Sequence, residues 1–161
     1  MDSRKSGNGG RMTSAQVLLY AALASSILLD GCSTVSRETA FRTQEIELSR
    51  GRQEASIACE TAVACDEAWA RTRTFIQTHS ATRIVQADDS AIQTAFPHAF
   101  GFVYLAASRS ADEAGKIVIR LRTMCRGMYD SDGGAGLLYS TCARSIVSVE
   151  TEFHAWVKES R

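Results

Sequence analysis

From Thr61 the apolar residues of this chain fall on a helical period. Cys65, Ala68, Trp69, Thr72, Phe75 and Ile76 stand at i, i+3, i+4, i+7, i+10 and i+11, and Asp66, Glu67, Arg71 and Arg73 lie largely off that face. The spacing predicts a helix ending near His79-Ser80. Short extended runs follow. Residues 83–87 read as a strand, Asp88-Asp89-Ser90 as a turn, and 91–96 as a second strand stopped by Pro97. Residues 102–107 read as a third strand and 108–115 as a polar loop. In 116–124, Ile117, Ile119 and Leu121 alternate with Val118, Arg120 and Arg122, so the fourth strand has one face that is at least partly wet. After a Gly-, Asp- and Ser-rich loop at 126–136, Leu138, Cys142, Ile146, Val149, Phe153 and Trp156 repeat at intervals of three and four, which predicts a second amphipathic helix. This order predicts an α+β fold. It is a two-layer sandwich, an antiparallel sheet of about four strands with an N-terminal and a C-terminal helix on one face.

Upstream the pattern changes character. Ala15 to Leu29 is almost wholly apolar or small, with Arg4, Lys5 and Arg11 before it. A basic flank, a short apolar core and small residues make a secretory signal. As a helix, fifteen residues rise about 22 Å, short of the roughly 30 Å hydrocarbon core of a bilayer. Leu29-Asp30-Gly31-Cys32 resembles the lipobox of bacterial lipoproteins, with Leu three residues before the Cys and Gly just before it. Asp30 stands where that family usually has a small or apolar residue. The resemblance implies a signal peptide over 1–31, acylation of the Cys32 thiol, and cleavage that makes Cys32 the N-terminus. It also implies an address on the periplasmic face of the outer membrane, since Ser33 rather than Asp follows the Cys. Two or three acyl chains anchor stably, at about 0.8 kcal/mol per buried methylene.

Residues 33–58 are polar and charged, with sparse apolar positions at Phe41, Ile46 and Leu48. Together with Cys32 they read as a tether, reaching about 85 Å if extended, or equally as a partly helical stem. The domain proper is then 59–161. About 130 residues remain after the signal, enough for one domain with a modest core. The net charge is near zero, so no basic surplus is available to neutralise phosphates and nucleic acid is not an expected partner.

Four cysteines remain beyond Cys32: Cys59, Cys65, Cys125 and Cys142. An even count in an exported chain reads as two disulfides. No CxxC or HxxxH spacing is present, so no metal is expected. On one continuous helix Cys59 and Cys65 would stand about 9 Å apart along the axis, beyond the roughly 7 Å Cα separation that a disulfide tolerates. If they pair, the helix therefore begins after Cys59. Cys125 ends the last strand and Cys142 opens the last helix. Bridging them closes the Gly-rich loop, a restriction worth roughly 3 kcal/mol in loop entropy. Pairing Cys59–Cys65 with Cys125–Cys142 is favoured, and a crossed pairing is the alternative.

The run from Cys59 through Cys65-Asp66-Glu67-Ala68-Trp69, Ser80, Ile84, Ile92-Gln93-Thr94, Cys125, Cys142 and Phe153-x-x-x-Val157 resembles a group of small uncharacterised proteobacterial lipoproteins. These motifs are cysteines and core positions. The resemblance implies a fold, and it brings no reaction and no cofactor.

No catalytic constellation stands out, and no enzyme is expected. A Cys–His nucleophile would need Cys65 or Cys142 beside His79, His98 or His154, and each of those thiols has an expected disulfide partner. Asp88-Asp89 and Asp112-Glu113 sit where Asp starts turns. Asp130-x-Asp132-Gly133 lacks the third oxygen ligand and the closing Glu of a calcium loop. Loops carry function more often than cores do, so loop 126–136, with Met128 and Tyr129, is the candidate partner contact. The expected role is that of an envelope lipoprotein, bound to the membrane by its lipid, with a binding or structural accessory function toward an envelope protein. The alternative is a small periplasmic enzyme or enzyme inhibitor acting through that loop.

Overall fold

The computed structural model describes residues 35–159. The expected signal peptide, Cys32 and its lipidation lie outside the described residues. The chain divides after Phe41 into two units. In the first, 35–41 are helical, and Thr39 Oγ1 donates to the Val35 carbonyl at 2.9 Å.

The second unit opens with helix α1, residues 42–54. Then come β1 (Ser56–Ala58), α2 (Ala62–His79), β2 (Ile84–Ala87), β3 (Ala91–Thr94), β4 (Val103–Ala111), β5 (Ile117–Cys125) and α3 (Tyr139–Glu159). One five-stranded sheet has the order β1-β5-β4-β3-β2, antiparallel throughout. The α+β expectation is met, with one strand more than expected. The expected tether supplies it: 42–54 coil into α1, and Ser56–Ala58 pair with Val118–Arg120 of β5. The expected polar loop 108–115 is shorter than its composition suggested. β4 runs to Ala111, where it still pairs with Ile117, and the chain reverses at 112–115. There Asp112 Oδ1 accepts from the amides of Ala114 and Lys116, and Gly115 takes a positive φ of 78°.

α2 begins where its sequence provides a cap: Thr61 is extended and its side chain accepts from Ala64 N. All six residues of the predicted face are buried. They lie against Ile92, Leu105, Ala107, Ile119 and Leu121, which share the inner face of the sheet. α3 closes the core. Phe153 meets Phe75 edge-to-face at 5.2 Å, and Trp156 meets Phe75 at 5.9 Å. The outer sheet face leaves Arg120, Arg122, Gln93 and Ser108 exposed. No helix among the described residues is long and apolar enough to cross a membrane.

α3 is tied to β5 by the Cys125–Cys142 disulfide, with Cα atoms 5.6 Å apart. The expected Cys59–Cys65 bond is not formed, because Cys65 is a free, buried thiol. Cys59 is pinned at the sheet edge, its amide donating to the Ile117 carbonyl at 3.0 Å. Cys65 faces the core from the first turn of α2. A buried thiol packs as a small hydrophobe and needs no bond to belong in a core.

Phe153 is fully buried between α2 and the sheet. Phe153→Ala is expected to cost about 3–5 kcal/mol, read as a lowered urea midpoint without reductant. Val63→Ala, at an exposed position of α2, should stay within about 0.5 kcal/mol of the parent.

Candidate functional site

The chemistry-bearing surface lies at the end of the sheet where β3 turns into β4. β3 stops at Thr94, three residues before Pro97, which has no amide to continue a ladder. The connection 95–102 carries three phenylalanines, and all of them face solvent: Phe96 is 58% exposed, Phe100 63% and Phe102 52%. Leu137 is exposed in the neighbouring loop.

Arg126, the residue after β5, holds this loop in place. Its backbone extends the β4–β5 ladder: Gly101 N donates to the Arg126 carbonyl at 2.8 Å, and Arg126 N donates to the Phe102 carbonyl at 3.2 Å. Its Nη1 donates to the carbonyls of Pro97 at 2.7 Å and His98 at 2.5 Å. The guanidinium carbon lies 5.0 Å from the Phe96 ring centre and 4.6 Å from that of Phe100. Cation–π contacts at exposed sites contribute about 0.5–1 kcal/mol each. Phe96 also meets Tyr104 edge-on at 5.2 Å, which joins the loop to the outer sheet face.

Two glycines make the arrangement possible. Gly101 turns the chain with φ 83°, and Gly127 does so with φ 76°. A Cβ on Gly127 would stand 2.4 Å from Cδ1 of Phe100, so the ring rests where only glycine leaves room.

The expected contact residues fare differently. Met128 is 2% exposed and belongs to the packing under the loop. Tyr129 is partly exposed, but its hydroxyl is committed: it donates to Glu45 Oε1 at 2.8 Å. Tyr139 donates to the same oxygen at 2.6 Å. Burial, then the bond to Glu45, raises the pKa of both phenols above the usual tyrosine value. One carboxylate of α1 thus gathers two tyrosines, one within the Gly-rich loop and one just after it. Asp130 serves the turn, its Oδ1 accepting from the amides of Asp132 at 3.0 Å and Gly134 at 2.7 Å. Gly136 is required by close approach, since a Cβ there would lie 2.9 Å from the Met128 carbonyl oxygen.

The other polar candidates are likewise occupied. Asp88 Oδ1 accepts from the amides of Ser90 and Ala91. The Gln86 amide, followed by the Ser90 amide and hydroxyl, holds the Asp88 carboxyl well below the usual carboxylate range. His79 is stacked on Phe75, with Nε2 3.1 Å from Glu152 Oε1, away from any cysteine. His98 is exposed on the aromatic loop. His154 borders a cavity with Cys59, Glu67 and Arg71. Among the described residues, no three His, Cys, Asp or Glu side chains gather as a metal site would require.

What the arrangement can do is present rigid aromatic area beside a cation. Exposed apolar patches of this kind mark contact surfaces, and Phe and Arg are enriched at protein interfaces. Arg126→Ala removes both carbonyl bonds, worth about 0.5–1.5 kcal/mol each. It should speed hydrogen exchange at the Gly101 amide, and an unchanged rate would mean that the backbone ladder alone holds the loop. Gly127→Ala should lower stability by about 1–2 kcal/mol, because an L-residue is forced to positive φ. It should also displace the Phe100 ring, read as a change in its NMR shifts. No family model, curated protein or solved structure matches this chain, so the aromatic rim around Arg126 is identified by its own geometry.

Proposed function

We propose that this protein is an envelope lipoprotein whose α+β domain has a binding or structural accessory role. Cys32 carries the lipid, and the domain faces the periplasm from the outer membrane. The partner is an envelope protein, and it docks on Phe96, Phe100 and Phe102. The anchor rests on the sequence around Cys32. The observation that carries the binding role is the exposure of Phe96 and Phe100 with their rings against Arg126, and of Phe102 beside them. Exposed aromatic rings held in place lose little conformational freedom on docking, which favours affinity.

Two measurements test the two halves separately. Intact mass of the protein from a membrane fraction should give a chain beginning at an acylated Cys32, and reduction should add the two hydrogens of one disulfide. An unacylated chain that keeps residues 1–31 would remove the anchor from the reading. For the binding half, a photo-crosslinking residue at position 100 should capture one envelope protein in living cells. Phe96→Ser in that background should cut the yield about tenfold, as loss of an interface anchor does, while leaving the melting temperature of the purified domain within a few degrees. Equal capture from position 100 and from a control position on the outer sheet face, such as Ser108, would defeat it.

A further inference from the structure

Glu150 is the one acidic residue in the buried stripe of α3. It falls between Ile146 and Phe153 at i+4 and i−3, and its side chain is 0% exposed. Oε1 accepts from Thr123 N of β5 at 3.2 Å. Oε2 and the Thr123 hydroxyl beside it are buried and have no hydrogen-bond partner among the described residues. The carboxyl is capped by α1. A Cβ on Gly51 would stand 3.1 Å from Oε2, so the helix backbone lies almost on the acid, and Gly51 is what lets it approach. Leu48 and Ala55, on the same side of α1, are buried with it.

We infer that Glu150 is a proton-operated latch for α1: as a neutral acid it lets the helix lie on the α3–β5 seam, and on ionisation it drives the helix off.

The physical argument starts from solvation. A buried carboxylate with an unpaired oxygen is costly, whereas the neutral acid is cheaper to bury. Burial raises the Glu150 pKa from 4.5 to about 7, against the opposing pull of the Thr123 amide, Arg52 of α1 and Arg122 of β5. Arg52 is shared, since it also acts on the Tyr129 hydroxyl. Two further ionisable groups, Glu54 of α1 and His154 one turn along α3, border the same cavity as Glu150. The sign follows from linkage. The docked form holds a proton that a solvated glutamate would have released, so docking is at full strength below about pH 4.5 and weakens as pH rises through about 7. The side that yields is set by covalent chemistry. β5 and α3 are joined covalently at one end of their seam by Cys125–Cys142, and Ile146 and Phe153 are buried on either side of Glu150 along it. α1 has no such tie: beside the buried Leu48 and Ala55, the Glu45 hydrogen bonds to Tyr129 and Tyr139 fasten it, and none of these contacts is covalent. Only in the anchored reading does release also lengthen the tether, by the residues of α1. The latch itself does not depend on that reading.

Hydrogen exchange of the full-length, unacylated chain, compared at pH 5.5 and pH 8.5 and corrected for intrinsic rates, tests this. Peptides from 44–54 should lose at least about tenfold of their protection at the higher pH, as local opening would produce, while peptides from α2 and β4 keep theirs. Glu150→Gln should abolish the difference, keeping α1 protected at both values. Gly51→Ala, which crowds Oε2, should release α1 already at pH 5.5, and it serves if Glu150→Gln does not fold. Equal α1 protection at both pH values would overturn the latch. So would loss of protection in α2 and β4 together with α1, or a Glu150→Gln protein that responds to pH as the parent does.

Discussion

The seam between α3 and β5 is the contact on which the rest of the molecule depends. An antiparallel sheet with one apolar face must be covered, and α3 covers it across the central strand pair. Cys142 is bonded to the end of β5, Ile146 and Phe153 fill the middle, and Val157 closes the far end. α2 adds its face to the same layer through Phe75, which touches Phe153, Trp156 and His79. α1 rests on the outside of the seam, against Glu150 and the two tyrosines. α2 and α1 therefore both pack against α3, and α2 also rests on the sheet itself.

What could be read in the sequence follows the strength of each element's periodicity. α2 was legible residue by residue, because six apolar or small positions repeat without interruption and all six are buried. α3 was legible as a helix, but only half of its predicted stripe is fully buried: Leu138 precedes the helix, and Val149 and Trp156 are half-buried. Its buried line passes through Tyr139, Ala143, Glu150 and Val157 as well as the predicted Cys142, Ile146 and Phe153. An acid inside such a line contributes nothing to a hydrophobic period, so only its place between Ile146 and Phe153 marked it. α1 and β1 were not legible as parts of the domain. α1 buries Leu48, Gly51 and Ala55, a helical spacing, but one leucine among glycine and alanine leaves no amphipathic signal. β1 has three residues, below the length at which alternation can be seen. Cysteine arithmetic gave the bond that closes a loop and overcounted the second, because an even number states availability and not proximity.

The candidate site was half visible for a related reason. The Gly-rich loop lies beside the aromatic rim, and its glycines permit the close packing found at Gly127 and Gly136. Of the two residues singled out within it, Tyr129 is exposed and Met128 is buried. An apolar residue in a glycine-rich loop suggests an exposed contact, yet Met128 is buried, and Glu45, more than eighty residues earlier, holds the hydroxyls of Tyr129 and Tyr139. Conversely, Phe96 and Phe102 read as strand ends, where aromatics usually point inward. The positive φ at Gly101 and Gly127 gathers this end into the exposed rim. Backbone reversal is a property of the turn, and alternation within either strand carries no trace of it.

Arg126 resolves a conflict that this rim creates. The loop exposes aromatic rings and also turns the carbonyls of Pro97 and His98 toward the same point. An aliphatic residue at position 126 would cover the rings and leave both carbonyls without a donor, an arrangement costly wherever water is excluded. A lysine ammonium has donors enough for both carbonyls but lacks the flat face that lies against two rings. Guanidinium does both at once: Nη1 supplies the donor, and the planar group lies over Phe96 and Phe100. The rim is therefore exposed and ordered at the same time. Rings placed in this way would lose less conformational entropy in any contact than those of a mobile loop of the same composition.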